Sequence, residues 1–132
     1  MRISEIQIKK INEDFTVCKV HDFSQVNLES EFIFIGKTDE EKSVVCLTKD
    51  APDNTTDRED GWRAFRIEGL LDFSLTGILA KIASHLAEKN IPIFAISTFN
   101  TDYVLVKAEY EMEALSVLGQ AEYQIVTGES AC

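Results

Sequence analysis

Polar and apolar residues alternate over the first twenty positions in two runs. Ile6, Ile8 and Ile11 mark one run and Phe15, Val17 and Val20 the other, with the turn formers Asn12, Glu13 and Asp14 between them. A period of two interrupted in this way predicts two short strands joined as a hairpin. Residues 21–31 are polar with isolated apolar positions at Phe23, Val26 and Leu28, which predicts a loop with at most one helical turn near Ser24. The apolar segments 32–38 (FIFIGKT) and 43–49 (SVVCLTK) flank the acidic turn DEEK and predict a second hairpin. Residues 50–61 (DAPDNTTDREDG) offer little that can pack, and predict the connection between two halves, 1–60 and 61–132. In WRAFRIE, Trp62, Ala64 and Arg66 alternate with Arg63, Phe65 and Ile67, as in a strand partly buried on both faces.

The period then lengthens. Leu75, Ile78, Leu79, Ile82 and Leu86 recur at intervals of three and four, a stripe for packing a helix over 74–89 on a sheet. Asp72 or Ser74 can cap its start, and Asn90 before Pro92 can end it. Residues 91–98 and 103–108 are continuous apolar runs around the turn FNTD, which predicts the central strands of a further hairpin. Residues 111–118 read as a shorter helix closed by Gly119, and 122–127 as a last strand. The order strand, helix, strand, strand, helix, strand gives an α+β fold with two helices on one face of an antiparallel sheet, the ferredoxin-like arrangement.

Charge narrows the range of partners. The chain carries 23 acidic and 13 basic residues, a formal charge of −10, and the basic residues form no patch. Such a surface repels nucleic-acid backbones and anionic membranes, so neither is an expected partner. No window approaches the ~20 apolar residues of a membrane span, and the start MRISEIQIKK lacks the apolar core of a signal peptide. Three cysteines, Cys18, Cys46 and Cys132, make no closely spaced even framework, so a cytoplasmic protein with reduced thiols is expected.

Catalytic patterns are weak. Cys18 has only His21 nearby in sequence as a base, and His85, the other histidine, sits on the predicted helix beside Leu86. The acidic residues of 50–61 lack the spacing and closing glutamate of a calcium loop. No cofactor motif, metal set or phosphate loop is present, and a non-catalytic protein is expected.

The segments IEGLLDFSLTGILAKIA and IFAISTFNTDYVLV, in this element order, resemble the ACT domain, a small regulatory module whose relatives bind amino acids. The resemblance is strongest to the tandem ACT families of the CASTOR arginine sensors and of aspartate kinases, and FIFIGKTDEEKSVVC and GWRAFRIEG extend it over nearly the whole chain. It implies two ferredoxin-like ACT subdomains, the first degenerate and without a long helix. It also implies an amino acid held between ACT-like units by the loop before the first helix and the turn after the second strand. Those positions are Asp72, Ser74, Gly77 and Ile78 on one side and Thr98, Phe99 and Asp102 on the other. Because the chain has about half the length of a CASTOR protein, a homodimer would supply the opposite wall, and a regulated enzyme is a further expected partner.

Each residue has a role in such a site. Free N–H groups at 74–77 and the positive end of the helix suit a carboxylate, and Gly77 allows close approach. Asp102 suits the ammonium or a cationic side chain, carbonyls of Thr98 and Phe99 add acceptors, and the Phe99 ring can form an apolar wall. Each residue also has a structural reading: Asp72 and Ser74 as caps, Gly77 for tight packing, Asn100 and Asp102 as turn formers. Lys81 either enters the pocket, disfavouring arginine, or lies on the solvated side of the helix. The alternative function is a structural dimerisation or protein-interaction domain without a ligand.

Overall fold

The computed structural model describes residues 6–69 and 77–127. Its first element corrects the first expectation: Ile6–Val20 is a single 15-residue strand, β1, and not a hairpin. One edge of β1 has two successive partners. Gln7 to Lys10 pair in parallel with Gln124 to Thr127 of the last strand, and Phe15 to Lys19 pair antiparallel with Ser43 to Leu47. Asn12 and Asp14, between these partners, are exposed positions of an extended chain. Long-range pairing has overridden their preference for turns.

Two compact units are present, one of residues 1–12 and 63–132 and the other of Glu13–Trp62. In the Glu13–Trp62 unit, β2 (Ile33–Lys37) and β3 (Lys42–Leu47) form the expected antiparallel hairpin, in register from Ile33↔Cys46 to Lys37↔Lys42. β3 lies beside β1, and β1 beside β4 (Thr55–Gly69). The expectation of a loop over 50–61 is therefore corrected. Irregular chain and one turn of 3-10 helix occupy only 48–54, and the polar run from Thr55 is strand with its charged side chains in solvent. At Gly61, φ is +85°, a left-handed conformation that L residues rarely adopt. The unit has no α-helix. In place of one, Phe23 and Val26 from the loop, with Ile33 and Ala51, pack on Cys18, Val20, Val44 and Cys46.

The other unit carries α1 (Ile78–Glu88), β5 (Phe94–Ser97), β6 (Asp102–Lys107), α2 (Glu111–Gln120) and β7 (Gln124–Thr127). Its strands run β1-β4-β6-β5, with β7 on β1. A sheet that otherwise alternates in direction thus gains one parallel pair, β1 with β7. β6 is internal as expected, whereas β5 ends the order and is an edge strand.

Ile6, Ile8, Phe65, Ile67, Val104 and Val106 present every second residue of three strands to Ile82 and Leu86 of α1 and Ala114 and Leu118 of α2. Both helices therefore cover one face, which is the ferredoxin-like α+β arrangement. Ala64 on the other side of β4 is also buried, in line with the prediction for residues 62–68.

Both helices end in the same way. Asn90 (φ 60°) and Glu122 (φ 78°) adopt the left-handed conformation. The N–H of Ile91 reaches the carbonyl of Leu86 and that of Tyr123 reaches Leu118, while Asn90 and Glu122 bond back to Ala87 and Gly119. These are Schellman motifs, sealed because Ile91, Leu86, Tyr123 and Leu118 all belong to the core. Asn90 was the expected stop, but Gly119 does not close α2: it is a helical residue, and the left-handed position falls to Glu122.

Candidate functional site

β5 and β6 run antiparallel from Phe94↔Leu105 to Ser97↔Asp102, leaving residues 98–101 as the turn. The Thr98 N–H donates to the Thr101 carbonyl at 2.8 Å, and the Thr98 hydroxyl donates to the same oxygen at 3.0 Å. Asp102, partly buried, accepts a hydrogen bond from the Ser97 hydroxyl. A carboxylate has about four acceptor positions, so this bond orients Asp102 without saturating it. The Thr101 hydroxyl donates to the main-chain carbonyl of Ile67 on β4. That bond fastens the turn to β4 two residues before the strand ends at Gly69.

Asp72 and Ser74 lie outside the described residues. Gly77 is the N-cap of α1, left-handed at φ +85°, and its carbonyl accepts the Lys81 N–H at 2.9 Å. Among the described residues no side chain caps this helix. Ile78 packs on the core. Lys81 is exposed one turn along α1. Phe99 is 90% exposed and so covers nothing within the described chain.

The turn therefore brings Thr98 and Asp102 together through Ser97 and Thr101. Sequence reading did not single out these last two, because serine and threonine at a hairpin end are ordinary turn residues. Only the cross-strand register, Ser97 opposite Asp102 and Thr101 facing Ile67, reveals what they hold. On β4, Arg66 donates to Glu68 at 2.8 Å and, at 3.4 Å, to the hydroxyl of Tyr103, the residue after Asp102 in β6. Its guanidinium also lies 5.9 Å from the centre of the Tyr103 ring.

Among the described residues neither histidine acts on a cysteine thiol. His21 is exposed, and His85 rests edge-on against Tyr123 with ring centres 6.1 Å apart. Burial pushes both the Cys18 and Cys46 thiols up, Cys46 to about 12, and the charged side chains acting on them are Arg58, Asp60 and Asp50, with no histidine among them. While buried, such thiols are held protonated near neutrality and are poor nucleophiles. Among the described residues no group of three or more metal-ligating side chains occurs, and no helix is long and apolar enough to cross a membrane.

The fold as a whole is similar to those of known proteins. Residues 57–120 match the family model of the ACT domain. An X-ray structure of an Agrobacterium tumefaciens protein shares this ACT-like fold at a TM-score of 0.85 and 26% identity, over 97% of both chains. A Vibrio cholerae protein described as a possible transport protein aligns at 0.74 and 21% identity, over 91% of this chain and 92% of that one. The regulatory subunit of aspartate kinase from Thermus thermophilus aligns at 0.60 and 12%, over 86% and 95% respectively. At that identity the last two show the fold alone. None of the curated proteins matches the sequence.

Proposed function

We propose that this chain is a non-catalytic regulatory module that binds a small amino acid beside the β5–β6 turn, between ACT-like units of a homodimer, and controls a partner enzyme. The observation that carries the reading is the bond from Thr101 to the Ile67 carbonyl. It holds the turn with Asp102 near the end of β4, the point from which the chain leads on to Gly77 and the start of α1. In this reading Asp102 takes the ligand's ammonium, the carbonyls of Thr98 and Phe99 add acceptors, and the Phe99 ring is an apolar wall completed by the second subunit. The amides at Gly77 and Ile78, with Ser74 and Asp72 before them, take the carboxylate. The ACT match over 57–120 and the fold shared with a regulatory subunit of aspartate kinase support it. The likeness of STFNTDY to the CASTOR-type sensors points to the same side of the domain.

Calorimetry and thermal shift against the twenty amino acids test the proposal. A ligand at one hundred times its dissociation constant adds about 2.7 kcal/mol of stability. Asp102→Ala should abolish that gain while leaving the unliganded protein folded. No response from any amino acid, or an unchanged response in the variant, overturns the reading.

A second reading, a protein-interaction domain without a ligand, is favoured by the exposed Phe99 and by Phe94 on the edge strand β5. Sedimentation distinguishes the two. This reading expects a dimer that Phe99→Asp dissociates and that no amino acid alters.

A further inference from the structure

Within the Glu13–Trp62 unit, the register Thr16↔Cys46 and Cys18↔Val44 sets the two cysteines diagonally on one face of neighbouring strands. Their exposures are 3% and 0%, and both are free. An irregular segment covers them through Phe23 and Val26. Side-chain bonds clasp this cover, together with the bonds from the His21 N–H to the Asn54 carbonyl and from the Asn54 amide to the Asp22 carbonyl. The Asp22 carboxylate accepts from the Ser24 N–H at 2.9 Å, from the Ser24 hydroxyl at 2.5 Å and from the Asn54 amide at 3.1 Å, and the Asp53 N–H donates to the Gln25 side chain at 3.2 Å.

We propose that Cys18 and Cys46 form a dithiol modification site that closes into a cross-strand disulfide when a small-molecule disulfide reaches it. Cys18, the less buried of the two, loses its proton and attacks one sulfur of the oxidant, releasing one small thiolate. Cys46 then gives up its proton and attacks the Cys18 sulfur of that mixed disulfide, releasing the second. Two S–H bonds are exchanged for one S–S bond within the protein. The oxidant is reduced to two thiols, which carry away both protons.

Geometry sets the character of the bond. Diagonal partners on antiparallel strands stand roughly 7–8 Å apart, whereas a disulfide needs Cα atoms within about 7 Å. β1 and β3 are already paired neighbours, so closure has to shear or bend them locally, and a strained bond is the more easily reduced kind. The site is therefore a reversible one that reports oxidising conditions. The cover sets its rate, since the thiols react only when the segment bearing Phe23 and Val26 opens.

The test uses the full chain carrying Cys132→Ser, so that no third thiol competes, incubated with oxidised glutathione. Peptide mapping without reductant should recover Cys18 and Cys46 in one cross-linked species, with the intact mass lower by two hydrogens and restored by dithiothreitol. Asp22→Ala, which releases the clasp, should speed the cross-link several-fold. Stable glutathione adducts on either cysteine without closure overturn the proposal. So does the absence of any cross-link in the Asp22→Ala protein under conditions where an alkylating reagent labels both thiols.

Discussion

The hydroxyl of Thr101 donates to the main-chain carbonyl of Ile67, so one side chain couples the β5–β6 turn to the middle of the sheet. Thr101→Val keeps the shape of the side chain and removes the bond. A hydrogen bond of this kind contributes about 1 kcal/mol. The variant should lose about 1 kcal/mol in urea unfolding, seen as a lower midpoint at an unchanged slope. Thr101→Ser should recover most of it, and any amino-acid affinity of the turn should fall in Thr101→Val.

Glu122 is a non-glycine residue at the left-handed position that ends α2. An L side chain there costs about 1–2 kcal/mol, part of which glycine gives back through a more flexible unfolded chain. Glu122→Gly should therefore stabilise the protein by about 0.5–1 kcal/mol and raise the Tm by a few degrees. Asn90→Gly, at the equivalent position after α1, should gain less, because asparagine already tolerates this conformation.

Gly61→Ala should have the opposite sign. A Cβ at Gly61 meets no atom within 4 Å, so the cost comes from φ alone. About 1–2 kcal/mol of destabilisation is expected, measured as a drop in Tm with no change in far-ultraviolet circular dichroism. A loss much larger than this would mean the strand itself had been displaced.

Asp22 supplies a pH dependence. The Ser24 hydroxyl and then its N–H hold the carboxyl below its ordinary range. A carboxyl with a lowered folded value stabilises the protein above its unfolded pKa of about 3.9, and that contribution disappears as the pH falls through the folded value. The stability difference between the native protein and Asp22→Asn should be constant near neutrality and shrink below about pH 4. Urea midpoints measured across that range check it.

How much of this was legible varied with the source of each element's stability. The β2–β3 hairpin, α1 and the β5–β6 hairpin carry their own apolar pattern and lie near the predicted positions. β1 and the first half of β4 do not. Asn12 and Asp14 in one, and Asp57, Glu59 and Asp60 in the other, are turn or loop residues by preference, yet stand in strands because neighbouring strands pair with them. The same holds at the candidate site. Asp102 and Thr98 stand out in the sequence, but their partners Ser97 and Thr101 are defined only by a register set across three strands.

The two partners on one edge of β1 also constrain how the chain is made. The segment Gln7 to Lys10 is made well before the strand it lies against, Gln124 to Thr127. Pairings so distant in sequence form slowly. Until β7 has been made, that stretch of β1 has an open edge, a template for wrong strands. A fragment starting at residue 61 would have the converse defect, with β7 present and nothing to lie on.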